Sequence, residues 1–182
     1  MKIKTCKACK SQFTPIRQFQ VVCNSYLCAI AYANLARERQ NKKEVSEYQK
    51  EKKERLQALK TKSDWLKETQ IVFNSYIRLR DKALPCISCQ RFHSGQYHCG
   101  HYRTVGSSPH LRFDEENCSK QCSACNNHLS GNIVNYRRNL EQKIGRERLD
   151  LLESNNRNVH YSIDDIKDIK LFYKSKIKDL TK

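Results

Sequence analysis

Cys86-Ile87-Ser88-Cys89 and, further along the chain, Cys122-Ser123-Ala124-Cys125 place four thiols in two close pairs. Each pair can present two thiolates from a tight turn to one side of a tetrahedral ion, so together they predict a closed four-cysteine zinc site. Because protein ligands fill all four positions, this zinc is structural. Its binding free energy substitutes for the core that so polar a segment lacks.

A second set of cysteines lies near the N-terminus, as Cys6, Cys9, Cys23 and Cys28. One tight pair and one looser pair predict a second zinc ion in a small finger domain over residues 1–30. The alternative interpretation is a disordered basic leader. Of the two remaining cysteines, Cys99 lies between two histidines and could contact a metal, whereas Cys118 is more typical of buried filling.

The composition limits both the fold and the class of partner. Only 38% of the 182 residues are apolar and the mean hydropathy is -0.83, which excludes one large core spanning the chain. The formal charge of +16 indicates a polyanionic partner, with nucleic acid favoured over a membrane because no apolar run approaches the roughly 20 residues of a spanning helix. Ten cysteines without a recognisable signal peptide predict a reducing cytoplasm.

A charged stretch follows the predicted finger. Residues 37–62 contain ten basic and five acidic side chains and no Pro or Gly, so we expect a basic helical arm over residues 31–62. The mixed charge fits either a solvated spacer or a DNA-binding helix, and the basic excess favours phosphate contact. The side chains expected to contact DNA are Lys42, Lys43, Lys52, Lys53 and Arg55.

The rest of the chain, residues 63–182, reads as one α+β domain. Ser63 is predicted to cap a helix whose apolar face consists of Trp65, Thr69, Val72, Phe73, Tyr76 and Leu79. A hairpin and a loop are expected between residues 85 and 117, then a helix over residues 125–144 ending at Gly145, and a short helix to Ser154. Ser162 and Asp165 should cap a closing amphipathic helix with Ile166, Ile169, Tyr173, Ile177 and Leu180 on one face.

Three segments between and beside the C-terminal cysteine pairs carry a recognisable pattern. They are His98-Cys99-Gly100-His101-Tyr102-Arg103, Leu111-Arg112-Phe113-Asp114-Glu115-Glu116-Asn117, and Asn126-Asn127-His128 after the second pair. The pattern resembles the zinc-braced His-Asn-His (HNH) nuclease motif. This resemblance implies a small ββα-metal, treble-clef-like unit embedded among helices, in which a hairpin, a loop and a helix supply the three motif residues.

The chain is more closely similar to the phage lambda NinG (Rap) recombination protein family, in residues 84–89, 100–103, 111–113 and 121–132. That resemblance implies an endonuclease acting on branched DNA, with Holliday junctions and D-loops as substrates. It also implies the cytoplasm of a bacterial host as location, and phage or host recombination proteins as possible partners.

The HNH resemblance assigns roles to particular residues. His101 would be the general base, since an imidazole with a pKa near 6.5 accepts a proton at neutral pH, and Asn117 would orient it through its amide oxygen. A divalent ion, Mg²⁺ or Mn²⁺ and possibly Zn²⁺, would be held by His98, Asn126 and His128, with Asn126 also counted as catalytic. Further DNA contacts are expected from Arg103, Arg112, Lys120, Arg137 and Arg138.

The sequence departs from the motif at two positions, and other functions remain open. Gly100 stands where an Asp usually precedes the first His, and Leu129 stands where a Lys is common. His98, Cys99 and His101 could instead complete the zinc site. The rival functions are a non-catalytic DNA-binding recombination mediator and an RNA-binding zinc module, and the helical arm could form a homodimer.

Overall fold

The computed structural model describes residues 2–157 and 159–182, and the chain divides into two compact units, Met1–Leu59 and Lys60–Lys182. Residue 1 of the predicted finger and residue 158 of the predicted C-terminal domain lie outside the described residues. Each unit has one small two-stranded sheet, so the chain is of mixed α and β structure. None of the helices within the described ranges is long and apolar enough to cross a membrane.

The N-terminal unit joins a small hairpin to a long helix. Strands β1 (Lys4–Thr5) and β2 (Gln12–Phe13) pair antiparallel, and helix α1 runs from Tyr26 to Ala58. None of the α1 side chains is buried, as expected for a sequence of strong helix formers with few apolar residues. Because α1 begins at Tyr26, Cys28 lies in its first turn.

In the described part of the C-terminal unit, four α-helices surround a hairpin. Their bounds are α2 (Lys62–Arg80), β3 (Tyr97–His101), β4 (Cys118–Cys122), α3 (Ile133–Ile144), α4 (Arg146–Ser154) and α5 (Ile163–Leu180). Strands β3 and β4 pair antiparallel, with His98 opposite Gln121 and His101 opposite Cys118. A short 3-10 helix, Pro109–Leu111, lies in the loop between the strands.

Two apolar layers cover the two faces of this hairpin. One layer, from α2, α5 and the 111–117 loop, contains Phe73, Tyr76, Ile77, Phe113 and Tyr173 and packs on the Cys99 and Cys118 side. The other joins Ile87 and Leu111 to α3 and α4 through Tyr136, Leu140, Leu149 and Leu152. Successive strand residues point to opposite faces, so the side chains of β3 are divided between the two layers.

The start of α2 differs from the prediction. Thr61 is the capping residue: its hydroxyl accepts from the Asp64 backbone N–H at 3.3 Å, and the Asp64 carboxylate accepts from the Thr61 N–H at 3.0 Å. Ser63 was the wrong choice because a reciprocal capping box needs an acidic or amide side chain three residues on, where Ser63 has Leu66. At α5 the predicted Ser162 and Asp165 capping box is confirmed, although Leu180 is 51% exposed.

The predicted continuous helix over residues 125–144 is also wrong. A short π-helical turn, Ala124–His128, is followed by a break, and α3 begins only at Ile133. The φ angles of Ser130, Gly131 and Asn132 are +48°, +83° and +44°. Left-handed backbone cannot continue a right-handed helix, so the chain changes direction here.

Candidate metal centres and active site

The four cysteines of the C-terminal pairs come together in the folded unit. The sulfur atoms of Cys86, Cys89, Cys122 and Cys125 lie within 4.8 Å of one another. The Cys122 backbone N–H donates to the Cys86 sulfur at 3.3 Å, and the Cys86 carbonyl accepts from Gln90 N–H in a tight turn. Four converging thiols with a backbone N–H directed at one of them fit a tetrahedral zinc ion.

His93 lies beside this cluster and was not among the predicted site residues. Its Nε2 lies 3.2 Å from the Cys89 sulfur, and its backbone N–H donates to the Tyr97 hydroxyl at 2.6 Å. Burial opposes ionisation of Cys89, but His93 and nearby backbone groups lower the pKa of this thiol to about 6. The available signal in the sequence was the four-residue step from Cys89 to His93.

The N-terminal cysteines form a second cluster. The sulfur atoms of Cys6, Cys9, Cys23 and Cys28 also lie within 4.8 Å of one another. Cys6 is fully buried and accepts from the Cys23 N–H at 3.3 Å. Burial alone would raise the pKa of Cys6, but backbone hydrogen bonds lower it to about 6. The four thiols suit zinc, which favours the finger over a disordered leader.

His101 lies at the end of β3 and faces the layer formed by α2. Its ring centroid is 6.4 Å from that of Phe73, and its Nε2 is 3.1 Å from the Arg112 carbonyl oxygen. A carbonyl only accepts hydrogen bonds, so Nε2 carries the proton and Nδ1 has the free lone pair. Burial lowers the pKa of His101 by more than the carbonyls of Arg112 and Cys99 raise it, which favours the neutral ring at pH 7.

A third group of side chains that could ligate a metal includes His101. Ligand atoms of Cys99, His101 and Cys118 lie within 4.8 Å of one another. Burial raises the pKa of Cys118 well above the ordinary thiol value. Sequence spacing did not reveal this group, because only the strand register places Cys118 opposite His101.

Asn117 is fully buried and ties two backbone segments together. Its amide oxygen accepts from the Arg103 N–H at 2.8 Å, and its amide nitrogen donates to the carbonyls of Arg103 at 3.0 Å and Leu111 at 3.1 Å. The predicted direct orientation of His101 by this oxygen is corrected, because the oxygen accepts from the Arg103 N–H while the His101 Nε2 lies against the Arg112 carbonyl. Asn117 instead holds the loop against the end of β3.

The three predicted ligands of a catalytic ion are only partly brought together. Asn126 and His101 line one depression of about 330 Å³, together with Gln121 and Gly131. His98 neighbours His101 by three positions on β3 and therefore points to the opposite face. Its Nε2 lies 3.5 Å from the Asn127 side-chain nitrogen, and His128 is exposed at the end of the π turn.

The whole chain matches one family of known proteins. The family model described as Bacteriophage Lambda NinG protein matches residues 1–182, the whole chain. The chain belongs to the NinG family. The resemblance noted in the sequence is thereby confirmed at the level of the family.

Several NinG proteins are similar over much of their length. Protein ninG of Escherichia phage 933W is 41% identical over 191 residues, covering 97% of this chain and 93% of the relative. Protein ninG of phage lambda is 49% identical over 123 residues, or 68% of this chain and 60% of the relative, and that of Salmonella phage P22 is 47% identical over 123 residues, or 68% and 61%. No solved structure matches the chain significantly.

Three of the basic residues predicted to contact DNA have structural partners in this NinG chain. The Arg103 guanidinium donates to the carbonyls of Leu152, Glu153 and Asn155 at the end of α4. Lys120 is 5% exposed and donates to the Lys82 carbonyl at 3.0 Å, while Arg137 forms two bonds with Glu153. Arg103 and Lys120 are corrected to structural roles, because their donors bond to backbone carbonyls. Arg137 pairs with Glu153 but keeps a side chain that is 38% exposed, so its DNA contact stays a prediction.

The other predicted DNA contacts remain accessible. Arg138 is exposed, and Arg112 is half-buried beside His101. On α1, Lys42, Lys43, Lys52, Lys53 and Arg55 are all exposed. Two of them form ion pairs along the helix, Lys43 with Glu47 at 3.9 Å and Arg55 with Glu51 at 2.7 Å. Exposed pairs of this kind contribute about 0.3–0.5 kcal/mol and are readily exchanged for phosphate contacts.

Proposed function

We propose that this NinG protein is a metal-dependent endonuclease that hydrolyses phosphodiester bonds in branched DNA, including Holliday junctions and D-loops. The observation that carries the proposal is that His101 and Asn126 line one depression on a hairpin held by a four-thiol cluster. The order of hairpin, loop and helix around this cluster supports a ββα-metal, treble-clef-like unit of the HNH type. The substrate class rests on resemblance to the family.

His101 is the proposed general base. Because burial lowers its pKa, the ring is neutral at pH 7 and Nδ1 is available to take a proton from water. The Arg112 carbonyl holds Nε2–H and so sets the tautomer. Asn117 keeps the backbone beside His101 in place through its bonds to Arg103.

A catalytic divalent ion, Mg²⁺, Mn²⁺ or Zn²⁺, would stabilise charge on the scissile phosphate and the leaving oxygen. Asn126 is the side chain best placed to hold it, since it lines the depression with His101. His98 and His128 remain proposed ligands. Because His98 points to the face of β3 opposite to the His101 side chain, an ion bound by His98 must lie on that face. Arg112 and Arg138 are the proposed phosphate contacts near the site.

The proposed substrate also suits the charge of the chain and its long helix. Thirty-five basic side chains against nineteen acidic ones favour an extended polyanion over a small substrate. Symmetric cutting of a junction calls for two active sites, and α1 is a 33-residue helix without a buried side chain. A homodimer and recruitment by phage or host recombination proteins are therefore part of the proposal.

One observation favours a second candidate, a non-catalytic recombination mediator that binds DNA. The His101 ring packs near Phe73 and within reach of Cys99 and Cys118, as a structural ligand would. A ring committed to a metal through Nδ1 has no lone pair left for a proton. The mediator would retain both zinc clusters and the basic surface.

The test is cleavage of a labelled four-way junction and a matched linear duplex in Mg²⁺, Mn²⁺ or EDTA. We compare the zinc-loaded wild type with His101→Ala and, as a matched control, His110→Ala, whose ring also bonds to a backbone carbonyl. Loss of a general base lowers the rate by about 10²–10⁴. The nuclease is supported if junction cutting depends on metal and its rate decreases by this factor in His101→Ala but not in His110→Ala. Tight binding without cutting under any metal favours the mediator.

A further inference from the structure

The N-terminal unit is the part of the chain with the most unbalanced charge. Residues 2–37 contain six Lys or Arg and no Asp or Glu, since the first acidic side chain is Glu38. Residues 1–59 as a whole have thirteen basic and five acidic side chains, which is half the net charge of the chain in about a third of its length. Such an imbalance concentrates positive potential on one small unit.

Part of this charge lines a groove between the cysteine turn and α1. The groove has a volume of about 600 Å³. Lys7 and Lys10 come from the turn that contains Cys6 and Cys9, and α1 contributes Tyr32, Leu35, Ala36, Arg39, Gln40 and Lys43. The α1 residues recur at three- and four-residue intervals and so form one face of the helix. The lining has four cationic side chains and, among the described residues, no acidic one.

The dimensions of the groove favour a strand over a single small anion. Tyr32 to Lys43 covers about 16 Å of helix axis at about 1.5 Å per residue. A duplex strand has one phosphate for about every 3.4 Å of helix axis, so a groove of this length can contact several successive phosphates. Half-buried Tyr32 adds an aromatic surface within the groove, which can pack against a sugar or a base.

We infer that this groove is a DNA-backbone binding site of the N-terminal unit, with Lys7, Lys10, Arg39 and Lys43 contacting successive phosphates of one strand. The inference rests on the proposed function only in taking DNA as the partner. It requires no cutting and no catalytic ion. It also separates the α1 side chains into two groups, because Lys50, Lys52, Lys53 and Arg55 lie beyond the groove.

The test measures DNA binding in the absence of Mg²⁺ and Mn²⁺. The groove variant replaces Lys7, Lys10, Arg39 and Lys43 with Gln. The control variant makes the same change at Lys50, Lys52, Lys53 and Arg55, so both lose four charges. Anisotropy of a labelled junction is recorded from 50 to 200 mM salt, with zinc content and helicity measured for every protein.

We expect the groove variant to bind at least tenfold more weakly at about 100 mM salt and the magnitude of its log-log salt slope to fall by about 3.6, since each of the four lost duplex phosphate contacts removes about 0.9. The control should lose affinity by at least threefold less than the groove variant, because Lys52, Lys53 and Arg55, although predicted DNA contacts, lie outside the groove. Equal losses in the two variants would overturn the inference. If the groove variant loses zinc, Arg39→Gln with Lys43→Gln, which lies away from the cysteines, must still weaken binding more than Lys52→Gln with Lys53→Gln.

Binding without a divalent ion makes this result independent of the nuclease proposal. If the chain never cuts DNA but shows the expected salt slopes, the groove inference stands and only the nuclease proposal fails. If the chain cuts junctions but both variants bind DNA equally, the nuclease proposal stands and the groove inference fails.

Discussion

Gly100 occupies the position where the proposed HNH motif would have an Asp, and the fold explains why a side chain is excluded there. A Cβ at this residue would lie 2.9 Å from Cδ and 3.0 Å from Cβ of Gln121, closer than packed carbon atoms approach. Gln121 is 1% exposed, and its amide nitrogen donates to the Ser88 hydroxyl at 2.7 Å and the Gly131 carbonyl at 2.5 Å. Gly100→Ala must therefore displace Gln121 or the strand.

The expected cost follows from these contacts. Overpacking a buried position costs about 1–3 kcal/mol, and breaking the buried bonds of Gln121 costs about 1–3 kcal/mol more. Replacing Gly by Ala in a strand returns about 0.5–1 kcal/mol. We therefore expect Gly100→Ala to reduce the free energy of unfolding by about 2–4 kcal/mol, which lowers Tm by roughly 5–15 °C for a protein of this size.

Trp65 makes the measurement specific, because it is the single tryptophan and lies in the C-terminal unit. Its fluorescence is followed during urea unfolding of the zinc-loaded protein. Gly106→Ala is the control, since its nearest neighbour is the Thr104 hydroxyl at 4.0 Å, and it should change stability by less than about 0.5 kcal/mol. In a Gly100→Ala, Gln121→Ala double-mutant cycle we expect a coupling of at least about 1 kcal/mol. Additive effects, or a Gly100→Ala protein as stable as wild type, would refute the packing argument.

Two further predictions concern metal removal and pH. We expect Cys86→Ser to bind one zinc fewer and to reduce the free energy of unfolding followed by Trp65 fluorescence by several kcal/mol. Cys9→Ser should also lose one zinc but leave this free energy unchanged. An unchanged value in both variants would contradict a structural zinc in the C-terminal unit. Burial raises the pKa of Asp81, but the ion pairs with Arg80 at 2.8 Å and Lys143 at 3.0 Å lower the pKa by more, so its folded value lies below the unfolded value. The contribution of ionised Asp81 to the free energy of unfolding is present above about pH 4 and is lost as the pH falls through the folded pKa. We therefore expect Asp81→Asn to reduce the free energy of unfolding by about 3–5 kcal/mol at pH 7 and by progressively less below pH 4. Urea unfolding of both proteins at each pH checks this, because acid release of zinc is common to both, and a pH-independent difference would count against it.

The sequence by itself determined the features that depend on short spacing. Close cysteine pairs, three of them C-x-x-C and one C-x4-C, predicted both four-thiol clusters, because two cysteines a few residues apart can converge wherever the segment is placed. The composition of residues 37–62 predicted a basic helical arm, which the structure shows as most of α1, and Ser162 with Asp165 predicted the start of α5, since propensity and capping act within one or two turns. Membership of the NinG family could also be recognised from local motifs.

Tertiary structure decided what the polar side chains near the hairpin contact. Strand register places Cys118 opposite His101 and turns His98 to the other face, and neither follows from distance along the chain. Arg103 and Lys120 looked like phosphate contacts, yet each donates to backbone carbonyls of a segment distant in sequence. A buried backbone carbonyl needs a donor, and which side chain supplies it is set only when distant segments pack together.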